Sequence, residues 1–501
     1  MNTDSSKRNV YSRGQMVGLF LGILLFSVVL FLPTAEGLTP EAQRVGAVAI
    51  LMIVWWVTEA LPLYATALLP ILLFPLLGIL NAKQVATPYA EPTIFLFMGG
   101  FCLAIAMQRW GLHRRIAFYT IRLLGTQPRQ LLLGFMVATA LLSMWVSNTA
   151  TTMMIYPIGL AIISQLAPAR GSLAGVNGFG IALMLGIAYA ANIGGVGTLI
   201  GTPPNAIFVG QSKLLFPELT EVNFFNWMLI GIPFVLLFLP ITWLYLSHKY
   251  IKASNTDGEL KALRKTFQDL GPVSRGEWGV FVVFMLTVCG WLFRNDIDLG
   301  FMILSGWANF LGVQEWVQDA TVAIAAALLL FVVPVNLKKG EFLLNWEWAV
   351  KIPWGILILF GGGFALALGF QETGLATWMG QGLSGLSSVP LLLLIFVLCI
   401  VFTLAGEVAS NTAMAAAMMP ILGATAVAMG VHPFLLMIPA TMAASSGFML
   451  PVATPPNAIV FGSGALTIRQ MVSAGVVLDL VGAILITLVV YFIAIPVFNL
   501  R

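Results

Sequence analysis

Apolar runs of roughly 20 residues recur from one end of this chain to the other, each long enough to cross a bilayer as a helix. The alternation of apolar and polar stretches predicts eleven crossings, near 15–33, 44–62, 64–80, 92–109, 179–208, 227–247, 278–293, 320–336, 352–371, 433–465 and 471–497. The first is too long for the core of a signal peptide and lacks a convincing cleavage site, so it reads as a retained helix. Two further apolar stretches, 131–166 and 391–429, do not fit as simple spans. Each is too long for one helix, yet short for two, which need about 40 residues plus a turn. Each carries a polar tripeptide near its middle, Ser147-Asn148-Thr149 and Ser410-Asn411-Thr412. The pattern predicts re-entrant helical hairpins that enter and leave on the same side.

The same motifs occur twice in the same order. Gly99-Gly100-Phe101, Leu103, Ala104, Gln108, Gly111 and Leu112 recur 263 positions later as Gly362-Gly363-Phe364, Leu366, Ala367, Gln371, Gly374 and Leu375. Ser147-Asn148-Thr149-Ala150 recurs at that offset as Ser410-Asn411-Thr412-Ala413, and Pro157 as Pro420. Thr202-Pro203-Pro204-Asn205-Ala206-Ile207 recurs 252 positions later as Thr454-Pro455-Pro456-Asn457-Ala458-Ile459. After span 92–109 its partner 352–371 is the fifth further crossing, and five is odd, so the partner runs the other way. The halves are inverted-topology repeats, an architecture of secondary transporters with a site near the midplane. The expected organisation is a tail and first helix (1–40), repeat 1 (41–250), a cytoplasmic linker (251–277) and repeat 2 (278–501). Repeat 1 holds helices within 41–112, a hairpin at 129–166, a broken helix at 179–208 and a helix at 227–247. Repeat 2 holds helices within 278–371, a hairpin at 388–429, a broken helix at 433–465 and a helix at 471–497.

Composition sharpens this picture. The 501 residues are 59% hydrophobic and 9% charged, against about 25% charged in soluble domains. The expected fold class is therefore an all-α polytopic membrane protein. The net charge of +4 is no nucleic-acid signal, because the basic residues follow topology. With Lys7, Arg8 and Arg13 in the cytoplasm, the segment Arg109, Arg114, Arg115, Arg122 and Arg129 falls inside. So does the loop with Lys249, Lys252, Lys261, Arg264, Lys265 and Arg275. Of the 24 Lys and Arg, all but Arg44, Lys83, Lys213, Arg294 and Arg501 lie inside. Cys102, Cys289 and Cys399 lie in separate apolar runs, and His113, His248 and His432 form no cluster, so neither a disulfide framework nor a metal-ligand spacing arises.

The tripeptides carry the candidate chemistry. A bilayer interior offers unpaired backbone groups no water, so an interruption there must line a cavity or an ion site. A helix that ends at a hairpin tip presents free carbonyls, suited to a small hard cation. A helix that starts there presents free N–H groups and a positive dipole end, suited to an anion. Ser, Asn and Thr add side-chain oxygens and donors. The same residues could serve only to bridge helices by hydrogen bonds, but duplication at matched positions favours function. The Thr-Pro-Pro-Asn motifs break a helix likewise, since tandem prolines remove two donors. The Gly-rich residues before them allow an extended loop of exposed carbonyls, with Thr202 and Thr454 in reach of a substrate oxygen; the bland alternative is a packing kink. Charges within the apolar runs are few: Glu59, Glu407 and Asp479. Glu407, three residues before Ser410, could orient the second tip or attract a cation; Glu59 could equally be interfacial; Asp479 has no partner legible in the sequence. No Arg or Lys falls in either hairpin core or either proline break. A divalent anion there would need bound sodium and helix N-termini to compensate it. Each ligand would then bind better with the other present, which is a physical basis for symport. The Gly361-Gly362-Gly363 run reads better as close helix packing than as a hinge.

At these motifs the chain resembles the divalent anion/sodium symporter family. The likeness rests on Ser147-Asn148-Thr149-Ala150-Thr151-Thr152, Ser410-Asn411-Thr412, the two Thr-Pro-Pro-Asn breaks and Trp55-Trp56-Val57-Thr58-Glu59-Ala60-Leu61-Pro62. It runs from about residue 40 onward. The resemblance implies a bacterial inner-membrane homodimer, its protomers divided into a scaffold and an elevator-like transport domain that holds both hairpins and both breaks. It implies a first sodium site at Ser143, Ser147, Asn148 and Gly201, and a second at Ala409, Ser410, Asn411 and Ala453. Substrate contacts are implied at Asn148, Thr149, Thr202, Pro203, Asn411, Thr412, Thr454 and Pro455. Gly406 departs from the family, which is expected to carry a hydroxyl residue there. The implied partners are a small dicarboxylate, sodium as coupling ion and membrane lipid, with no other cofactor and no nucleic acid. Sodium-independent exchange of dicarboxylate, citrate or tartrate, and sulfate symport, remain alternative activities. A channel would show repeated filter elements around a pore, and an enzyme a His, Cys or carboxylate cluster at catalytic spacing; neither pattern is present in the sequence.

Overall fold

A chain in lipid must satisfy its backbone internally, and the apolar runs do so as helices. The computed structural model describes residues 11–125, 127–166, 178–251, 271–298, 302–382, 385 and 388–500. Among the described residues, nine helices are long and apolar enough to cross a membrane. Most of the expected linker, including Lys252, Lys261, Arg264 and Lys265, lies outside the described residues, as do Lys7 and Arg8. Two short antiparallel pairs, Ile297–Asp298 with Ile303–Leu304 and Pro334–Asn336 with Glu341–Phe342, are the strands among the described residues.

The repeats appear element by element. Helix Pro92–Trp110 corresponds to Trp354–Glu372, and the hairpin legs Pro128–Ser143 and Asn148–Leu166 to Leu391–Gly406 and Asn411–Ala428. The broken helix Gly178–Gly195/Pro203–Leu215 corresponds to Phe434–Ala444/Pro455–Phe461, and Phe224–Tyr250 to Ile468–Val489. Between span and hairpin each repeat inserts a further helix, Leu112–Leu124 and Leu375–Gly382. The hydropathy pattern did not reveal these. Leu112–Leu124 is strongly amphipathic and carries Arg114, Arg115 and Arg122, so it shows no apolar run. The turns that begin them are glycines, Gly111 and Gly374, at φ of 75° and 74°, a left-handed conformation that a Cβ disfavours.

One expected crossing takes a different form. Residues 64–80 fold as two short helices, Leu63–Thr66 and Leu69–Leu76, rather than one continuous span. Pro62, Pro70 and Pro75 explain it, because each lacks the N–H that would continue the ladder. Helix Arg13–Phe31 is mostly exposed, as a lipid-facing helix should be. It meets the protein at Gly18 and Gly22, where a Cβ would run into Thr58 and Trp55. The Gly361-Gly362-Gly363 run is a packing surface: a Cβ at each would collide with Tyr89, Ala67 and Ala416 in turn.

Two sets of helices can be told apart by what they pack on. The hairpins and broken helices pack on one another, on Phe224–Tyr250 and Ile468–Val489, on the helices Leu112–Leu124 and Leu375–Gly382 that precede the hairpins, and on Trp354–Glu372. Pro92–Trp110 packs on Asp319–Val332 and Arg275–Leu292. Buried ion pairs fasten the ends of the bundle. Arg115 Nε meets Glu277 Oε1 at 2.7 Å, and Arg294 Nε meets Asp319 Oδ1 at 2.7 Å. Cys102, Cys289 and Cys399 are free thiols.

Candidate functional site

Each hairpin turns at its tripeptide. The first leg ends at Ser143, and Asn148 starts the next helix. Ser147 caps that helix: its Oγ accepts from Ala150 N at 3.4 Å and its carbonyl from Thr151 N at 2.9 Å. Ser410 repeats the geometry, with Oγ accepting from Ala413 N at 3.4 Å and its carbonyl from Met414 N at 2.9 Å. The breaks match as closely. Thr202 and Thr454 are N-caps with φ/ψ of −142°/142° and −143°/149°. The prolines that follow occupy the first two helical positions, where a missing N–H costs nothing. Asn205 Nδ2 donates back to Gly195 O at 3.4 Å and Thr198 O at 2.8 Å. Asn457 Nδ2 donates to Gly447 O at 3.2 Å and Leu450 O at 3.0 Å. The extended loops are thus held by the fourth residue of their own motif.

Both tips and both breaks face one cavity of about 1290 Å³. Its lining includes Ser147, Asn148, Thr149, Thr202, Pro203, Ala409, Ser410, Asn411, Thr412, Ala453, Thr454 and Pro455. Four helix N-termini, at Asn148, Pro203, Asn411 and Pro455, therefore meet there, and their partial positive charge favours an anion. Among the described residues lining the cavity, Glu59 and Lys351 alone carry charge. Glu59 adopts a left-handed φ of 49° at its helix end, and its carbonyl accepts from Gln15 Nε2 at 3.1 Å.

Ser143 and Gly201 stand behind the cavity rather than on its wall. Ser143 Oγ donates within reach of Ala191 O at 2.7 Å and lies 2.6 Å from Asn148 Oδ1. The Asn148 oxygen otherwise faces the carbonyl oxygens of Ala191 and Gly201; with the amide turned, its nitrogen would donate to them at 3.1 and 3.2 Å. Oxygen-inward, the set is Ser143 Oγ, Asn148 Oδ1, Ala191 O and Gly201 O, the hard donors sodium prefers. Sequence reasoning missed Ala191, because a main-chain carbonyl leaves no mark in residue type. In the second repeat Gly406 stands where Ser143 stands in the first. Asn411 Oδ1 is buried without a hydrogen-bond partner among the described residues, 2.9 Å from where a Cβ at Gly406 would lie.

The buried carboxylates serve the second break. Glu407 accepts from Met449 N at 2.9 Å and Leu450 N at 2.7 Å. Asp479 accepts from Phe448 N at 3.2 Å. The breaks are also tied to each other. Tyr189 donates its hydroxyl to Phe448 O at 2.9 Å, Asn192 Nδ2 donates to Thr454 Oγ1 at 3.0 Å, and Thr202 Oγ1 lies 3.4 Å from Ser445 Oγ.

Residues 13–500 match the family described as "Sodium:sulfate symporter transmembrane region". Proteins named sodium-dependent dicarboxylate transporter SdcS, from Staphylococcus aureus strains RF122 and MSSA476, are each 45% identical over 500 residues, covering 98% of this chain and 93% of theirs. In fold, the chain resembles the Alcanivorax borkumensis YdaH transporter, with a TM-score of 0.53 at 15% identity, covering 96% of this chain and 97% of that one. It also resembles Neisseria gonorrhoeae MtrF, with a TM-score of 0.55 at 12% identity and 97% of each chain covered. At such low identity these two likenesses speak to fold alone.

Proposed function

The chain belongs to the sodium:sulfate symporter family, and from that membership we propose that it is a secondary active transporter coupling sodium to the uptake of four-carbon dicarboxylates such as succinate, malate and fumarate. The observation that carries this reading is the meeting of both Ser-Asn-Thr tips and both Thr-Pro-Pro-Asn breaks in one cavity. A dianion between the tips finds N–H groups and hydroxyls from Asn148, Thr149, Thr202, Asn411, Thr412 and Thr454, with Pro203 and Pro455 as the floor of the breaks. It finds no cationic side chain among the described residues there, apart from Lys351. The missing positive charge comes from sodium held beside the tips, at Ser143, Ser147, Asn148 and Gly201 and at Ala409, Ser410, Asn411 and Ala453. Anion and cation then raise each other's affinity by the same factor. The relatives named sodium-dependent dicarboxylate transporters support the choice of both ligands.

The protein sits in the bacterial inner membrane with a cytoplasmic N-terminus, as its Lys and Arg distribution favours. Ser12, Gln15, Glu59 and Lys351 line the cavity, and on that orientation they are cytoplasmic, so the conformation is inward-open. The mutually packed hairpins, broken helices and closing helices form the moving transport domain of an elevator. The remaining helices form the scaffold of a homodimer. Succinate uptake into proteoliposomes, driven by an inward sodium gradient or by potassium in its place, tests the coupling. Sodium-driven accumulation is expected; equal uptake in both would show a sodium-independent exchanger, and sulfate accumulation without succinate uptake a sulfate symporter.

A further inference from the structure

One hydroxyl of the anion site is aimed by a residue that is not among the proposed anion contacts. Thr454 Oγ1 receives Asn192 Nδ2–H at 3.0 Å and the Asn457 backbone N–H at 3.4 Å. A hydroxyl oxygen has two acceptor lone pairs and one hydrogen. With both lone pairs engaged, the hydrogen is what Thr454 has left to offer, and Thr454 lines the cavity. Its counterpart Thr202 is not aimed in this way. Thr202 makes no side-chain bond to its own helix, and its contact with Ser445 Oγ at 3.4 Å lets either atom donate. The two hydroxyls are therefore inequivalent despite matched backbones.

Asn192 belongs to the first repeat and acts on a residue of the second. It is 1% exposed and lines the cavity, yet its Oδ1 has no partner among the described residues. We propose that Asn192 is a positioning residue, which holds the Thr454 hydroxyl as a hydrogen-bond donor to a carboxylate of the transported anion. The proposal rests on the dicarboxylate reading of the site. A hydroxyl fixed as donor serves an anion and is turned away from serving a cation, so Asn192 governs anion affinity and leaves sodium affinity alone.

The test is succinate uptake by the purified protein in proteoliposomes, with Asn192→Leu (the same branching and heavy-atom count, no donor), Asn192→Ala, Thr454→Val and the Asn192→Leu/Thr454→Val double variant. Each single variant should raise the KM for succinate about tenfold, as expected for losing one charge-assisted hydrogen bond. Measured at succinate saturating for each variant, so that linkage does not carry the anion defect into sodium activation, the sodium concentration for half-activation should stay within about twofold of the parent. The double variant should also show about tenfold, because one bond can be lost only once. The Ala variant keeps the test open if Leu fails to fold, which size-exclusion elution reports. An unchanged KM in the Asn192 variants would overturn the proposal, as would an equal shift in sodium activation or a roughly hundredfold loss in the double variant. Asn411→Ala serves as the control for the site. If it is inactive while the Asn192 variants are normal, only this inference fails; if it too transports normally, the anion site is misplaced and the inference falls with it.

Discussion

Removing the asparagine that ends each proline break should cost unequal amounts of stability in the two repeats. Asn457 holds its loop by two bonds of ordinary length, to Gly447 O at 3.2 Å and Leu450 O at 3.0 Å. Asn205 makes one such bond, to Thr198 O at 2.8 Å, and a stretched one to Gly195 O at 3.4 Å. Both asparagines are fully buried, so water does not replace what is lost. Leu450 O and Thr198 O keep turn bonds from Ala453 N at 3.2 Å and Gly201 N at 3.4 Å, so each loses one hydrogen bond of about 0.5–1.5 kcal/mol, whereas Gly447 O loses its amide donor at about 1–3 kcal/mol. Asn457→Ala should therefore lose about 1.5–4.5 kcal/mol and Asn205→Ala about 0.5–1.5 kcal/mol, with a similar cavity cost added to each. The assay is the fraction of purified, detergent-solubilised protein that stays monodisperse after heating, read as a midpoint for each variant. The Asn457→Ala midpoint should fall further than that of Asn205→Ala, and both below the parent. Equal losses, a reversed order, or parental stability in both would refute the idea that these amides hold the breaks open.

Asn148→Ala and Asn411→Ala should each abolish succinate uptake in proteoliposomes while eluting normally on size exclusion; normal transport by either would remove that residue from the site. Asp319→Ala should destabilise the protein by about 3–5 kcal/mol. It leaves the buried Arg294 guanidinium with Val317 O at 3.0 Å and, as counter-charge, Glu221 Oε2 at 3.3 Å on a half-exposed side chain; thermal survival matching the parent would contradict this. His113 is buried in the amphipathic helix Leu112–Leu124, and burial holds its imidazole below the ordinary histidine range. The unfolded chain therefore takes up a proton that the folded chain refuses, so this contribution to stability is lost as pH falls through about 6.5. His113→Gln should flatten the thermal stability profile between about pH 7 and 5; an unchanged slope would show that His113 does not titrate on unfolding.

What could be read from the sequence were the interruptions. A Ser-Asn-Thr tripeptide or tandem proline inside an apolar run is chemically conspicuous, and its recurrence at a fixed offset announced both hairpins and both breaks. The site residues that side-chain type marks, Asn148, Asn411, Thr202 and Thr454 among them, line one cavity. Contributions without such a mark stayed hidden. Ala191 enters the oxygen cluster through its carbonyl, and Asn192 and Tyr189 act only because the fold lays one break across the other. Helix Leu112–Leu124 lies buried on one face and exposes Arg114 and Arg122 on the other, so its amphipathic period escaped a search for apolar runs. The roles of Glu407 and Asp479 were likewise illegible, since both are spent on backbone N–H groups 31 to 43 residues away.

The central claim is that the site is electrostatically incomplete for a dianion until alkali cations join it. Succinate binding to the purified protein, titrated by calorimetry across sodium concentrations at constant ionic strength, tests this most directly. Succinate affinity should climb with sodium, and saturating succinate should tighten sodium by the same factor. Succinate affinity that stays constant when sodium is replaced by choline would contradict it.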